Sequence, residues 1–207
     1  MLEASKICPM EDIIFDADVL STKAAAVLSG VKEKKVRQLA RDLNVGTLAR
    51  RVHRRAFGAK DLLFLSLTAK LPVPLTRDLE RDLYAVVAKG LPSKGPWKNE
   101  KTRLKLGDLV TIDAGALRDE LAHDLRVYRS AAKRVTSSPE TMGGEFVFKG
   151  TRISVAHVGA LAARGIPVDE LRKDYPRLSP DDVRLALLLH RMGHRPGRPR
   201  RSLRYVR

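Results

Sequence analysis

The chain has 207 residues, room for one ordinary domain or two small ones, and two small ones is the expectation here. With 43% hydrophobic and 31% charged residues it can bury a core, which argues against general disorder. The formal net charge of +16 points to a polyanionic partner, and the single cysteine, Cys8, excludes an internal disulfide framework and any multi-cysteine metal site.

No apolar run approaches the length of a bilayer span, since Leu62 to Leu67 is already interrupted at Ser66. Glu3, Glu11, Asp12, Asp16 and Asp18 place acid where a secretory leader needs a basic end and an apolar stretch. The expected compartment is the cytoplasm, in association with the nucleoid.

The charge is concentrated in two places. Residues 19–60 carry eleven Lys or Arg against Glu33 and Asp42, and residues 191–207 carry seven arginines and no acid. The remainder of the chain is neutral, so uniform solubilisation does not account for the excess.

From Ser21, Ala25, Ala26 and Leu28 have helical spacing, and Val36, Leu39, Ala40 and Leu43 have it again beyond Ser29-Gly30-Val31. Ser21 suits an N-cap, Gly30 a tight turn and Val31 the angle between two helices, which together make a helix-turn-helix pattern. On the second helix Lys34, Lys35, Arg37, Gln38 and Arg41 fall largely off the apolar stripe. Arg37 and Gln38 suit base edges, and the lysines suit phosphates. Residues 46–57 read as a short hairpin, a wing that would bring Arg50, Arg51, Arg54 and Arg55 to the DNA backbone or minor groove. A basic helical hairpin docking on a protein is the alternative.

Residues 18–72 resemble the MerR-like winged helix-turn-helix regulators. The resemblance rests on Ala24 to Val31, Val36-Arg37, and Phe57-Gly58-Ala59-Lys60-Asp61-Leu62-Leu63. No aromatic closes the recognition helix near Gln38 to Arg41, and no long dimerisation coiled coil follows.

Leu71-Pro72-Val73-Pro74 ends one helix, and a second has its apolar stripe at Leu75, Leu79, Leu83, Val86 and Val87 until Gly90. Residues 92–105 read as a loop or an exposed hairpin connection, with Trp97 as a packing anchor. A strand is expected over Leu109–Ile112, with Asp113 capping a linking helix over Ala116–Lys133.

The stretch from Val135 predicts a strand at Phe146-Val147-Phe148 and a turn at Lys149-Gly150. It then predicts a helix from Val155 to a break at Gly165, a short helix over Val168–Asp174, and a last helix opened by Ser179-Pro180. This is a second small helix-turn-helix-like unit.

Residues 135–191 closely resemble the VapB-type antitoxin family catalogued as domain of unknown function 433. The match includes Ser138-Pro139-Glu140, Met142-Gly143-Gly144, Gly150 to Val155, Gly165, Tyr175-Pro176-Arg177-Leu178 and Asp182 to Leu187, with Phe146 at the family's usual proline position. The resemblance implies an antitoxin, a small PIN-like ribonuclease as its toxin, and DNA as a second partner. Arg152 either braces a helix or carboxylate within the fold or binds phosphate or an acidic partner.

In the tail, Pro196, Gly197 and Pro199 forbid regular helix. Arg195, Arg198, Arg200, Arg201 and Tyr205 then fit three readings: a minor-groove hook resembling an AT-hook, a plug for the carboxylates of a PIN-like site, or a solubilising tail.

Catalytic signatures are absent. No Gly-x-x-x-x-Gly-Lys loop, His-Glu-x-x-His pair or Gly-x-Ser-x-Gly elbow occurs, His190 and His194 straddle a helix end, and Asp119-Glu120 and Asp181-Asp182 suit early or exposed helix positions. Neither enzyme activity, cofactor nor metal is expected.

The sequence reading is therefore a mainly α protein with short strands. It has a winged helix-turn-helix domain at 18–90, a loop, strand and linking helix at 91–134, an antitoxin domain at 135–191 and a basic tail at 192–207. Its expected function is that of the antitoxin of a type II toxin-antitoxin module, a homodimer that neutralises a PIN-like toxin and represses its own operator. The rivals are a stand-alone MerR-like transcriptional regulator and an RNA-binding accessory protein, the latter disfavoured by an aromatic content of only 5%.

Overall fold

The computed structural model describes residues 20–49, 54–72, 74–89, 95–100, 103–108, 110–138 and 140–193. The chain is mainly helical with short antiparallel strands and divides into two units at Arg126/Val127. Among the described residues, no helix is long and apolar enough to cross a membrane.

The first unit opens with α1 (Thr22–Ser29) and α2 (Glu33–Asp42). The Ser21 hydroxyl caps α1 by accepting from the Ala24 N–H at 3.2 Å, as its side chain predicts. Gly30 ends the helix with φ +73°, the left-handed conformation that lets the Val31 N–H reach back to the Ala26 carbonyl at 3.1 Å. Ala24, Ala25 and Ala26 are buried, and their small side chains let α2 and the helix after the hairpin pack against α1. A two-stranded hairpin, β1 (Thr47–Ala49) with β2 (Arg54–Ala56), follows in the register Leu48 to Arg55. Leu20 and Phe57 exchange hydrogen bonds of 3.2 and 3.1 Å, so the segment before α1 is tied to the end of the hairpin.

Helix α3 (Ala59–Lys70) buries Leu62, Phe64, Leu65 and Leu67, apolar groups on several of its faces, as befits a helix packed between α1 and α4 (Arg77–Val87). Asp61 in its first turn accepts from the Gly58 N–H at 2.9 Å, the Tyr84 hydroxyl at 2.8 Å and the Gly46 N–H at 3.4 Å. One carboxylate thus joins the hairpin, α3 and α4. Burial, reinforced by this carboxylate, pushes the Tyr84 phenol up to about 12.

Ser66 lies at the centre of α3 with its Oγ buried and unbonded. A buried hydroxyl without a partner costs about 1–3 kcal/mol, and alanine is the better helix former. Ser66→Ala is therefore expected to raise Tm by several degrees, and an unchanged or lower melting temperature would show that the hydroxyl is satisfied.

Of the two forms open for residues 92–105, the hairpin is the one that forms. β3 (Trp97–Glu100) pairs with β4 (Arg103–Leu106), which pairs in turn with β5 (Val110–Asp113). Trp97, 1% exposed, donates its indole N–H to the Leu79 carbonyl at 3.1 Å, so the packing-anchor reading holds and the sheet is fixed to α4. Asp113 caps α5 (Ala114–Arg129) by accepting from Gly115 and Ala116. The expected linking helix starts two residues early and breaks at Ser130 before α6 (Ala131–Arg134).

The second unit continues with β6 (Val135–Thr136), a 3-10 turn (Met142–Gly144), β7 (Val147–Phe148), α7 (Val155–Ala163), α8 (Val168–Asp174) and α9 (Pro180–Arg191). β6 and β7 pair antiparallel, Val135 opposite Phe148. The expected break at Gly165 and the opening of α9 at Ser179-Pro180 both form. Helices α7 and α9 make the principal helix packing of the unit, burying Val155, Val158, Leu185, Leu188 and Leu189.

Arg134 is the polar centre of this unit. Its guanidinium donates to Ser130 Oγ at 2.9 Å, Ser179 Oγ at 3.0 Å, Asp182 Oδ1 at 2.8 Å and Asp181 Oδ2 at 3.2 Å. Burial alone would push the Asp182 carboxyl up, but hydrogen bonds from Ser179 and Arg134, with the arginine's charge, outweigh it and hold the carboxyl below its ordinary value. A depressed folded-state pKa contributes stability that is present above the unfolded value of about 4 and is lost as pH falls through the folded value. Arg134→Ala is expected to destabilise the protein by about 2 kcal/mol at neutral pH, because Asp182 loses a charged donor. It should also flatten the loss of stability below about pH 4. Chemical denaturation of both proteins from neutral to acid pH tests this, and parallel profiles would refute it.

Candidate functional site

The sequence-predicted basic residues of α2 separate into two groups. Lys34, Arg37 and Arg41 are exposed and Gln38 is half-exposed. Their spacing places them on one face of the helix, while Val36, Leu39 and Ala40, with Leu43 just beyond, form the buried face. Glu33 pairs with Arg37 one turn along the surface, an exposed contact worth only about 0.3–0.5 kcal/mol and readily exchanged for a phosphate.

Lys35 has a different setting. Its ammonium lies 2.6 Å from Glu80 of α4, whose side chain is only 8% exposed. Withdrawing Lys35 to meet a ligand would leave that carboxylate buried without its partner, so its first task is to hold α2 on α4.

The hairpin residues are also divided. Arg55 donates to Asn44 Oδ1 at 2.9 Å and to the Val45 carbonyl at 3.2 Å, which fastens the hairpin to the loop that leaves α2. The backbone of Arg54 lies in β2 opposite Ala49. Arg50 and Arg51 lie outside the described residues, as do Arg195, Arg198, Arg200, Arg201, Tyr205 and His194 of the tail. The structure therefore brings Lys34, Arg37, Gln38 and Arg41 together as one helical face.

Arg152, the remaining candidate, is exposed in the loop between β7 and α7. Thr151 shapes that loop: its hydroxyl donates to the Phe148 carbonyl at 2.9 Å and accepts from the Ile153 N–H at 3.1 Å. Gly150 has φ +73°, the positive angle expected of it. The loop borders a cavity of about 500 Å³ lined by Thr136, Thr141, Val147, Gly150, Thr151, Arg152 and Arg177. Sequence reasoning assigned no role to Arg177, which stands in the turn between α8 and α9 and shares this lining with Arg152 only through the fold.

With this loop, the Arg134 cluster and the α7 to α9 packing in view, the second unit can be set beside known proteins. Residues 135–188 match the family described as "Protein of unknown function (DUF433)". A protein described as "Uncharacterized protein y4eO" from Sinorhizobium fredii (strain NBRC 101917 / NGR234) is 34% identical over 79 residues. That match takes in 38% of this chain and 36% of the relative, so little more than a third of the curated relative's length is covered. No solved structure matches the chain. The matched residues include both Arg152 and Arg177, together with the β6 to β7 pair, α7, α8 and most of α9, so the cavity lies wholly within them.

Proposed function

We propose that the chain is a sequence-specific DNA-binding protein acting as the antitoxin of a type II toxin-antitoxin module. It would bind its operator through α2 of a MerR-like winged helix-turn-helix and neutralise a small PIN-like ribonuclease through its VapB-type second unit. The observation that carries the DNA-binding part is the exposed face of Lys34, Arg37, Gln38 and Arg41 opposite a fully buried apolar stripe. A helix built this way can enter a major groove without disturbing its own packing, and the turn at Gly30 fixes its angle to α1. The net charge of +16, concentrated around this helix and in the tail, supplies the long-range attraction that brings a polyanion to the face.

The toxin-binding part rests on the resemblance of residues 135–191 to VapB-type antitoxins. Its test is affinity purification of the full chain from its native host at high salt, where phosphate contacts are screened, followed by mass spectrometry and expression of any retained small protein by itself. A stoichiometric partner that arrests growth when expressed without this chain is the expected result. Absence of such a partner, with operator binding retained, would replace the antitoxin reading with a stand-alone transcriptional regulator.

A further inference from the structure

The cavity of the second unit has a chemistry that DNA binding through α2 does not use. Arg152 and Arg177 are both exposed, and neither forms an ion pair or hydrogen bond with any described residue. Two free guanidinium groups on one concavity repel each other, an arrangement that an anion between them relieves. Thr136, Thr141 and Thr151 line the same space, and no carboxylate does. The lining therefore presents cationic forks and hydroxyl groups without an opposing charge.

The backbone that carries the two arginines is preset. Arg152 follows Thr151, whose N–H donates to the Phe148 carbonyl at 3.0 Å, and the Phe148 N–H donates to the Ile153 carbonyl at 3.1 Å. Arg177 precedes Leu178, a residue 2% exposed whose N–H donates to the Tyr175 carbonyl at 2.9 Å and whose carbonyl accepts from Arg172 Nε at 3.3 Å. Binding would cost side-chain ordering and little backbone ordering.

From this the structure assigns to the second unit a binding site for a small organic molecule bearing a phosphomonoester. Arg152 and Arg177 hold the phosphoryl oxygens, and the threonine hydroxyls complete the contacts. Guanidinium forks match phosphate oxygens bidentately, and a phosphoryl group offers one more oxygen than a carboxylate for the hydroxyls to meet. The space of about 500 Å³ is open to solvent and leaves room beside the arginines for the organic body that carries the phosphate. Val147 is the one large apolar residue in the lining and no aromatic contributes, so the organic body is polar, as a sugar is, and is not a stacked base.

The test is isothermal titration of the full chain with ribose 5-phosphate, inorganic phosphate, ribose and duplex DNA as probes. It compares wild type, Arg152→Gln with Arg177→Gln, and a variant in which Lys34, Arg37 and Arg41 are alanine. Saturable binding of ribose 5-phosphate is expected, tighter than inorganic phosphate and absent for ribose. The arginine pair variant should bind at least about tenfold more weakly, and the α2 variant should bind as wild type does. Arg152→Lys with Arg177→Lys keeps the charge but loses the fork, and should recover only part of the affinity. Equal binding by wild type and the glutamine pair overturns the site, as does absence of saturable binding. Inorganic phosphate binding as tightly as the sugar phosphate overturns the organic ligand. Duplex DNA affinity that falls in the glutamine pair would make the two arginines a backbone contact and overturn it as well. Because the α2 variant is assayed alongside, failure of this site and failure of the DNA-binding reading give different patterns.

Discussion

Replacing Lys34, Arg37 and Arg41 together by alanine is expected to lower affinity for operator DNA by at least about a hundredfold near physiological salt. Each cation that neutralises a phosphate releases a counterion, so Lys34 and Arg41 on phosphates contribute nearly two units to the slope of log affinity against log salt, at about 0.9 per contact, and Arg37 adds a base-edge contact. Filter binding or fluorescence anisotropy across a salt series reads both quantities. None of the three side chains is buried, and the exposed Glu33 pair contributes little, so the variant should melt close to wild type.

Two companions separate recognition from scaffolding. Gln38→Ala should leave the salt slope intact and relax preference at one base pair by about 1–3 kcal/mol, the discrimination given by a bidentate amide contact. Lys35→Ala should lower stability first, because Glu80 is left in a site only 8% exposed, and should weaken DNA binding only as far as the helix shifts. Wild-type affinity and an unchanged slope in the triple variant would remove α2 from the DNA interface altogether.

The distinction between Lys34 and Lys35 also shows how far the sequence could be read. The two helices around Gly30 were legible because cap, turn and apolar stripe are local signals within a few residues of each other. The same is true of the Asp113 cap, the Gly165 break and the Ser179-Pro180 start. What sequence could not supply were pairings set by the fold: Lys35 meets Glu80 across 45 residues, and Arg134 meets Asp182 across 48. Nothing in the spacing around Lys35 distinguishes it from Lys34, since both lie off the apolar stripe. The face that packs on α4 becomes visible only once α4 is in place. The hairpin at Trp97–Leu106 was ambiguous for a different reason. Its strands are short and carry lysine, asparagine and glutamate, and their one strong signal is the tryptophan that anchors them.

The candidate sites follow the same division. The α2 face is a local feature of helical spacing and could be written down from residues 33–42. The cavity is not, because Arg152 and Arg177 belong to loops on either side of α7 and α8 and share a surface only after those helices fold back. The sequence did mark both positions, within Gly150-Thr151-Arg152 and Tyr175-Pro176-Arg177, but it gave no reason to connect them.

Gly159→Ala is expected to be among the most damaging single substitutions in the second unit, although by helix propensity alone alanine should stabilise α7 by about 1 kcal/mol. The opposing effect is steric. A Cβ at residue 159 would lie 2.5 Å from the Ala186 carbonyl oxygen and 2.8 Å from the Cβ of His190, and both neighbours are held by helix α9. Neither is the free end of a side chain that could rotate away, so relief requires α7 and α9 to separate along the contact that buries Val158, Leu185 and Leu189. Overpacking of this kind costs about 1–3 kcal/mol or more, and here it also opens part of the main helix packing of the unit. The net expectation is destabilisation of about 2 kcal/mol, or roughly 10 °C in Tm for a unit of this size. Differential scanning calorimetry of the full chain measures it directly. The residues affected line neither the α2 face nor the cavity arginines, so DNA affinity below the transition should be unchanged. A variant that melts at or above the wild-type temperature would mean that α7 and α9 do not approach as closely as the glycine allows.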